Sequence, residues 1–287
     1  MIIIMSFMDA IVLLNKPSGM TSFDAVARVR KTFGEKKVGH TGTLDPQATG
    51  LLIILLGRYT KFIPYCVCDH KHYEATFQMG LLSDTQDIWG KIIDEKKPHV
   101  YKDEQLAEAA KAFHGEIMQV PPMYSAIKKD GKKLYELARQ GITVEREARK
   151  AVIDDLQIHH LHDDMYSLQA TVSSGTYIRT LIQDFAESLG EYAVMTSLIR
   201  TGIEDIMLEE AVEIDALGGE KGLVSPMRIL NPSWKILETD QVADIQNGKR
   251  IVLDTPEDQV ILVHDDMILA AYQREKGKQF RCVRGLF

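Results

Sequence analysis

The chain has 287 residues, 45% apolar and 26% charged, with a formal net charge of −7 and three cysteines. That length suits one large domain or a large and a small one, and the balance is that of a soluble globular protein rather than a disordered or fibrous one. Cys66, Cys68 and Cys282 make neither a disulfide framework nor a zinc set, and the apolar opening Met1–Met5 is too short to span a membrane, so a cytoplasmic protein is expected.

In chain order, Ala10–Leu14 reads as a short apolar strand ended by a turn at Asn15–Gly19. Ser22 or Asp24 caps a helix running through Arg30. Leu51–Leu56 is a continuous apolar run closed by Gly57, the pattern of a buried strand. His72–Met79 alternates, with Tyr73, Ala75, Phe77 and Met79 on one side, and is a strand. Asp103–Phe113 is helical, Val120-Pro121-Pro122 ends an extended piece, and Lys133–Gln140 is a short helix stopped by Gly141. Ala151–His160 and Tyr166–Val172 pair as a hairpin. Tyr177–Leu189 has the clearest helical stripe (Ile178, Leu181, Ile182, Phe185, Leu189), with Gly190 just beyond it. Breakers gather at 217–222 and 231–232. The short β-like runs Arg250–Leu253, Val260–Val263, Met267–Tyr272 and Gln279–Val283 then predict a small all-β domain from about 234. Strands and helices mix without a strict βαβ beat, so an α+β fold with a largely antiparallel sheet is expected.

Charge is unevenly placed. Residues 126–150 hold eight Lys/Arg against four acids, +4 locally, which leaves −11 on the rest; residues 28–37 hold five bases against Glu35. Such islands in an acidic chain suggest a polyanion surface, the alternative being solvated helix faces.

The densest signal is Lys36–Gly50, where three glycines, three threonines, His40 and the lone carboxylate of Asp45 follow two lysines. Small residues let backbone approach a partner closely, and an Asp before Pro sits on a tight turn. Alone, Asp45 reads as a turn residue bonding its own backbone; within the whole segment it reads as a functional carboxylate. The Gly34–Thr41 spacing imitates a phosphate loop, but His40 stands where a lysine is needed and a helix precedes it where a strand should. Arg179 falls in the first turn of its helix, where the dipole disfavours a cation, so an anion beside it is expected: a carboxylate or a substrate phosphate. Tyr73 reads as core packing with Phe77 or as the wall of a base pocket. His159, His160 and His162 suit a solvated strand edge, and no metal is predicted.

These blocks carry a resemblance. Lys36–Gly50 resembles the signature of the TruB family, the tRNA pseudouridine-55 synthases. Asn15–Ser22, Gly57–Phe62, Pro121–Lys128, Gly131–Glu136, Ala138–Gly141 and Ser174–Thr180 agree with it in order. The likeness spans roughly residues 10–200; beyond that only Asn247–Ile251 is similar to the family's small RNA-binding PUA-like domain. The resemblance implies a pseudouridine synthase fold, with a mixed, largely antiparallel sheet flanked by helices (1–233), a basic RNA-binding insert at about 124–150, and a short all-β PUA-like domain (234–287). It implies isomerisation of uridine 55 in the tRNA T-loop on a flipped-out nucleotide, without cofactor or metal; nothing in the sequence demands a partner, so a monomer is expected. By correspondence Asp45 is the catalytic carboxylate, Tyr73 stacks on the base and relays the C5 proton, and Arg179 pairs with Asp45. Leu198 lines the uracil pocket, His40 supports the loop left by the extruded base, and Lys16, Lys61, Tyr177, Lys128 and Lys132 contact substrate or RNA.

Physical chemistry gives these roles a reason. A catalytic carboxylate must stay ionised while a bound base dries the pocket, and a guanidinium bonds both its oxygens. Extruding a base costs roughly a few kcal/mol, which basic groups on phosphates and an aromatic platform offset. The competing readings are a tRNA-binding or folding module without turnover, a guide-dependent relative acting on ribosomal RNA, and a nucleotide hydrolase.

Overall fold

A computed structural model of the chain describes residues 9–287; the apolar opening Met1–Met5 lies outside them. The chain divides into two compact units, one of residues up to Cys68 together with Ile206–Phe287, the other Asp69–Asp205.

In the first unit the strand Ala10–Lys16 pairs antiparallel with Thr49–Leu56, in register from Ala10↔Leu56 to Lys16↔Gly50. Val212–Glu213 adds a parallel neighbour, and Leu223–Val224 and Val38–His40 add antiparallel ones. The apolar run reads continuously because both of its faces are buried. One face, Leu52, Ile54 and Leu56 with Val12 and Leu14, packs on Ala25 and Val29 of the helix Ser22–Phe33. The cap of that helix is Thr21, not Ser22 or Asp24: Thr21 and Asp24 bond reciprocally in a capping box, and Gly34 at φ 63° closes the helix. Ser22 is thereby released for another task.

The C-terminal part of this unit is a five-stranded sheet in which Lys235–Glu238 runs parallel to Gln259–His264, followed by Met267–Lys276, Gln279–Gly285 and Ile251–Val252, all antiparallel. Ile245, Val260, Leu262, Tyr272 and Phe280 form its core. The predicted β runs are all present. The first strand and the short helix Val242–Gln246 went unread, since four or five residues give too little periodicity to register.

The second unit is an antiparallel sheet. His70–Met79 lies between Met165–Ser173 and Ala193–Ile203, and Arg149–His162 and Gly115–Gln119 extend the sheet beyond Met165–Ser173. Tyr73, Ala75, Phe77 and Met79 are buried, as their alternation predicts. The helices Asp103–Ala110 and Ile178–Ser188 belong to the same unit. No helix of the described residues is long and apolar enough to cross a membrane.

Candidate active site

The Asp45 loop is braced from below. Lys16 is fully buried, and its ammonium donates to the carbonyl oxygens of Pro17 (2.8 Å), Met20 (2.7 Å) and Pro46 (3.2 Å). These carbonyl dipoles offset part of the cost of taking that charge out of water. Lys16 therefore acts as an internal strut of the loop rather than as an outward-facing RNA contact. Ser22 Oγ donates to the Leu44 carbonyl (3.2 Å) and accepts from the Leu44 amide (2.9 Å), while the Gly19 amide donates to the Pro46 carbonyl (3.0 Å). Leu44 and Ala48 are buried plugs on either side, and the Ala48 amide closes a turn onto the Asp45 carbonyl (3.1 Å). Asp45 itself is half-buried between them.

The small residues have local duties. A Cβ on Gly39 would come within 2.8 Å of Ile63 Cδ1, so a side chain there would have to push the end of Ile63 aside. Gly50 holds φ 108° where the loop enters the buried strand, a conformation L residues rarely adopt. The phosphate-loop imitation fails on topology as well as chemistry: Gly34 ends a helix and a strand follows, the reverse of the strand–loop–helix order.

In the second unit Tyr73 is 8% exposed. It stands opposite Ala170 on one side and Arg200 on the other, and Leu198 stands opposite Ala75. Directly paired residues share a face, so Tyr73, Leu198 and Arg200 lie together. Arg200 is fully buried and was missed. The signal was its shared parity with Leu198 on one strand, which puts a cation on the inward side.

Arg179 is 4% exposed, and its guanidinium is tightly placed. Nη1 donates to the Thr85 carbonyl (2.8 Å) and Nη2 to the Tyr124 carbonyl (2.8 Å), with Asp87 Oδ2 at 3.8 Å from Nη1. The anion expected beside this misplaced cation thus includes Asp87, from the unread segment Ser83–Gly90. That segment is shaped by its own side chains. Asp87 Oδ1 accepts from Thr85 Oγ1 and the Trp89 amide, and Asp84 Oδ1 accepts from the Lys91 amide. The segment docks on the Arg179 helix through Gln86, which accepts from Thr180 Oγ1 (2.9 Å) and donates to Gln183 Oε1 (2.5 Å). Tyr177, the helix cap, is held by Gln119. The buried Gln119 amide accepts from the Tyr177 N–H (2.8 Å) and donates to its carbonyl (3.1 Å), standing in for a strand neighbour.

The remaining predicted residues lie on other elements. Lys61 Nζ donates to the carbonyls of Gly285 and Phe287, both at 3.2 Å. Lys128 and Lys132 are exposed on a two-stranded ribbon pairing Lys128 with Lys133 and Lys129 with Lys132. Asp130 and Gly131, both with positive φ, make its turn. Opposed like charges destabilise such a ribbon, so it is not built for its own stability. His159 bonds Asp103 (3.0 Å) and His160 bonds the Asp163 carbonyl (2.9 Å). Among the described residues no group of three His, Cys, Asp or Glu side chains is placed to hold a metal.

Residues 30–178 match the TruB family pseudouridylate synthase N-terminal domain, a span that contains Asp45, Tyr73 and the whole Ser83–Gly90 segment. The chain belongs to the TruB family. It is 39% identical to tRNA pseudouridine synthase B of Bacillus pumilus, over 94% of each chain. It is 41% identical to the protein of that name from Alkaliphilus oremlandii, over 85% of this chain and 83% of the other. The fold is shared with a structure titled as a Cbf5-Nop10-Gar1 complex, at a TM-score of 0.71 and 22% identity over 97% of this chain and 85% of that one. As a TruB family member the chain is a pseudouridine synthase, an isomerase of uridine in RNA.

Proposed function

We propose that this chain isomerises uridine 55 in the T-loop of tRNA to pseudouridine, acting as a cytoplasmic monomer with Asp45 as the catalytic carboxylate. The observation that carries the reading is the build of the Asp45 loop: a buried ammonium, a buried hydroxyl and a glycine amide all fix its backbone, and the aspartate side chain is left half-buried at the apex. Holding one acid in a fixed place is the requirement of covalent or general-base catalysis. The relatives named as tRNA pseudouridine synthases support tRNA as the substrate.

In this reading the N1–C1′ glycosidic bond breaks and C5 bonds C1′; the proton on C5 leaves and N1 regains one, so the product is an isomer. Asp45 supplies the carboxylate, Arg179 its counter-charge, and Tyr73 and Leu198 the surface for the extruded uracil. His40 fills behind the base, and the lysine ribbon at 128–133 meets backbone phosphates. The C-terminal five-stranded sheet adds RNA contact.

Mapping the product at nucleotide resolution in an unmodified tRNA transcript tests the reading. Pseudouridine at the single T-loop position is the expected result; pseudouridine elsewhere, or tRNA bound and left unmodified, overturns it and favours the binding-module alternative.

A further inference from the structure

The helix Ser22–Phe33 presents an outer face that the fold does not use. Phe23 is 74% exposed, the most exposed large apolar side chain among the described residues. Ala27 and Arg30 follow it at i+4 and i+7 and are also exposed, as are Lys31, Lys36 and Lys37. On a helix these offsets place Phe23, Ala27 and Arg30 in one row about 10 Å long. The acids nearby are already engaged: Asp24 is turned into its capping box with Thr21, Glu35 is buried and accepts from the Lys37 amide, and Asp215 lies 3.6 Å from Arg28. No ion pair among the described residues involves Arg30, Lys31, Lys36 or Lys37.

This face adjoins the catalytic loop. Ser22, the residue before Phe23, is the one whose hydroxyl holds both the amide and the carbonyl of Leu44, next to Asp45. Lys36 and Lys37 lead directly into the strand Val38–His40 that precedes the same loop. An exposed aromatic at one end and four cations at the other, set in a chain whose net charge is −7, single this face out as complementary to a polyanion with stackable faces.

We infer that the outer face of this helix and the loop after it form a second RNA surface, on which Phe23 stacks against a base or ribose beside the target nucleotide and Arg30, Lys31, Lys36 and Lys37 neutralise backbone phosphates. The inference rests on the reading of the chain as a tRNA enzyme and extends the RNA surface beyond the lysine ribbon at 128–133. Phe23 is a positioning residue here: it fixes where the strand enters, not how the bond is broken.

The test measures affinity for an unmodified tRNA transcript across a salt series, with pseudouridine formation followed in parallel, for wild type, Phe23→Ala, Phe23→Trp and the quadruple Arg30→Gln, Lys31→Gln, Lys36→Gln, Lys37→Gln. Phe23→Ala weakens binding about tenfold and raises KM with little change in kcat, and Phe23→Trp restores both. The quadruple variant flattens the dependence of log K on log salt by about 0.7–0.9 for each phosphate no longer neutralised. All these side chains are exposed, so folding is not at stake. A variant whose affinity and salt slope equal those of wild type overturns the inference as stated. Wild-type protein that binds tRNA through these residues yet forms no pseudouridine overturns the functional reading and keeps the surface; active wild type with indifferent variants does the reverse.

Discussion

The loop bearing Asp45 is held by Lys16, Gly19 and Ser22, none more than 30 positions away, whereas Arg179 is held by Thr85 and Tyr124, 94 and 55 positions away. Both side chains sit on rigid supports, but the supports differ in kind. Around Asp45 the chain braces itself with a contiguous run of small residues and one buried lysine. Around Arg179 a separate loop, itself folded by Asp84 and Asp87, must first dock on a helix through Gln86. Short-range construction is vulnerable to change within its own motif; long-range construction spreads its dependence over several segments, each individually replaceable.

Substitutions break that comparison at different depths. Tyr73→Phe keeps the buried ring and removes the hydroxyl, and turnover falls about a hundredfold or more at unchanged tRNA affinity if the hydroxyl relays the C5 proton; unchanged turnover assigns Tyr73 to packing alone. Lys16→Met takes the ammonium away from the Pro17, Met20 and Pro46 carbonyls, of which Pro46 keeps the Gly19 amide, and denaturant unfolding registers a loss of about 3 kcal/mol, accompanied by slower turnover. A variant as stable as wild type would show that the strut is dispensable. Asp87→Asn weakens the setting of Arg179 while the neighbouring carbonyl bonds persist, so kcat drops about tenfold with no more than about 1 kcal/mol of stability lost; a larger stability loss than Lys16→Met would reverse the contrast between local and distributed support. Neutralising Lys128, Lys129, Lys132 and Lys133 together flattens the salt dependence of tRNA binding without slowing saturated turnover, and slightly stabilises the ribbon.

The second unit also has an acid-sensitive point away from the proposed chemistry. Glu191 is 3% exposed; burial opposes its charge, but hydrogen bonds from His99 and Lys96 outweigh burial and hold its carboxyl down at about 2, against 4.5 for an ordinary glutamate. A depressed acid stabilises the fold above its unfolded value and loses that contribution as protons bind. Stability therefore falls as pH drops from about 4.5 towards 2, and Glu191→Gln removes that part of the acid transition. An acid transition identical in both proteins would contradict the assignment.

Legibility in the sequence followed the same division. Glycine and threonine density marked the Asp45 loop, where Gly50 holds a φ that other residues rarely adopt. The Tyr73 strand was readable from alternation, and the Arg179 helix from its stripe. Thr21 as cap, Gln119 as the clamp on Tyr177, and Asp87 beside Arg179 were not readable: each is defined by a partner elsewhere, and a single sequence states the residue but not the pairing. Lys16 was picked out by resemblance to a residue near the active site or the RNA surface, and its ammonium is buried against the carbonyls beneath the Asp45 loop, which the sequence alone does not show.

The central claim is that Asp45 performs the isomerisation. Tritium release from C5-labelled uridine in unmodified tRNA, compared between wild type and Asp45→Asn at matched, saturating occupancy, tests it most directly. Wild type is predicted to release the label of one T-loop uridine per tRNA, and Asp45→Asn to bind equally well while releasing it roughly three to six orders of magnitude more slowly. Release at the wild-type rate from Asp45→Asn would contradict the account.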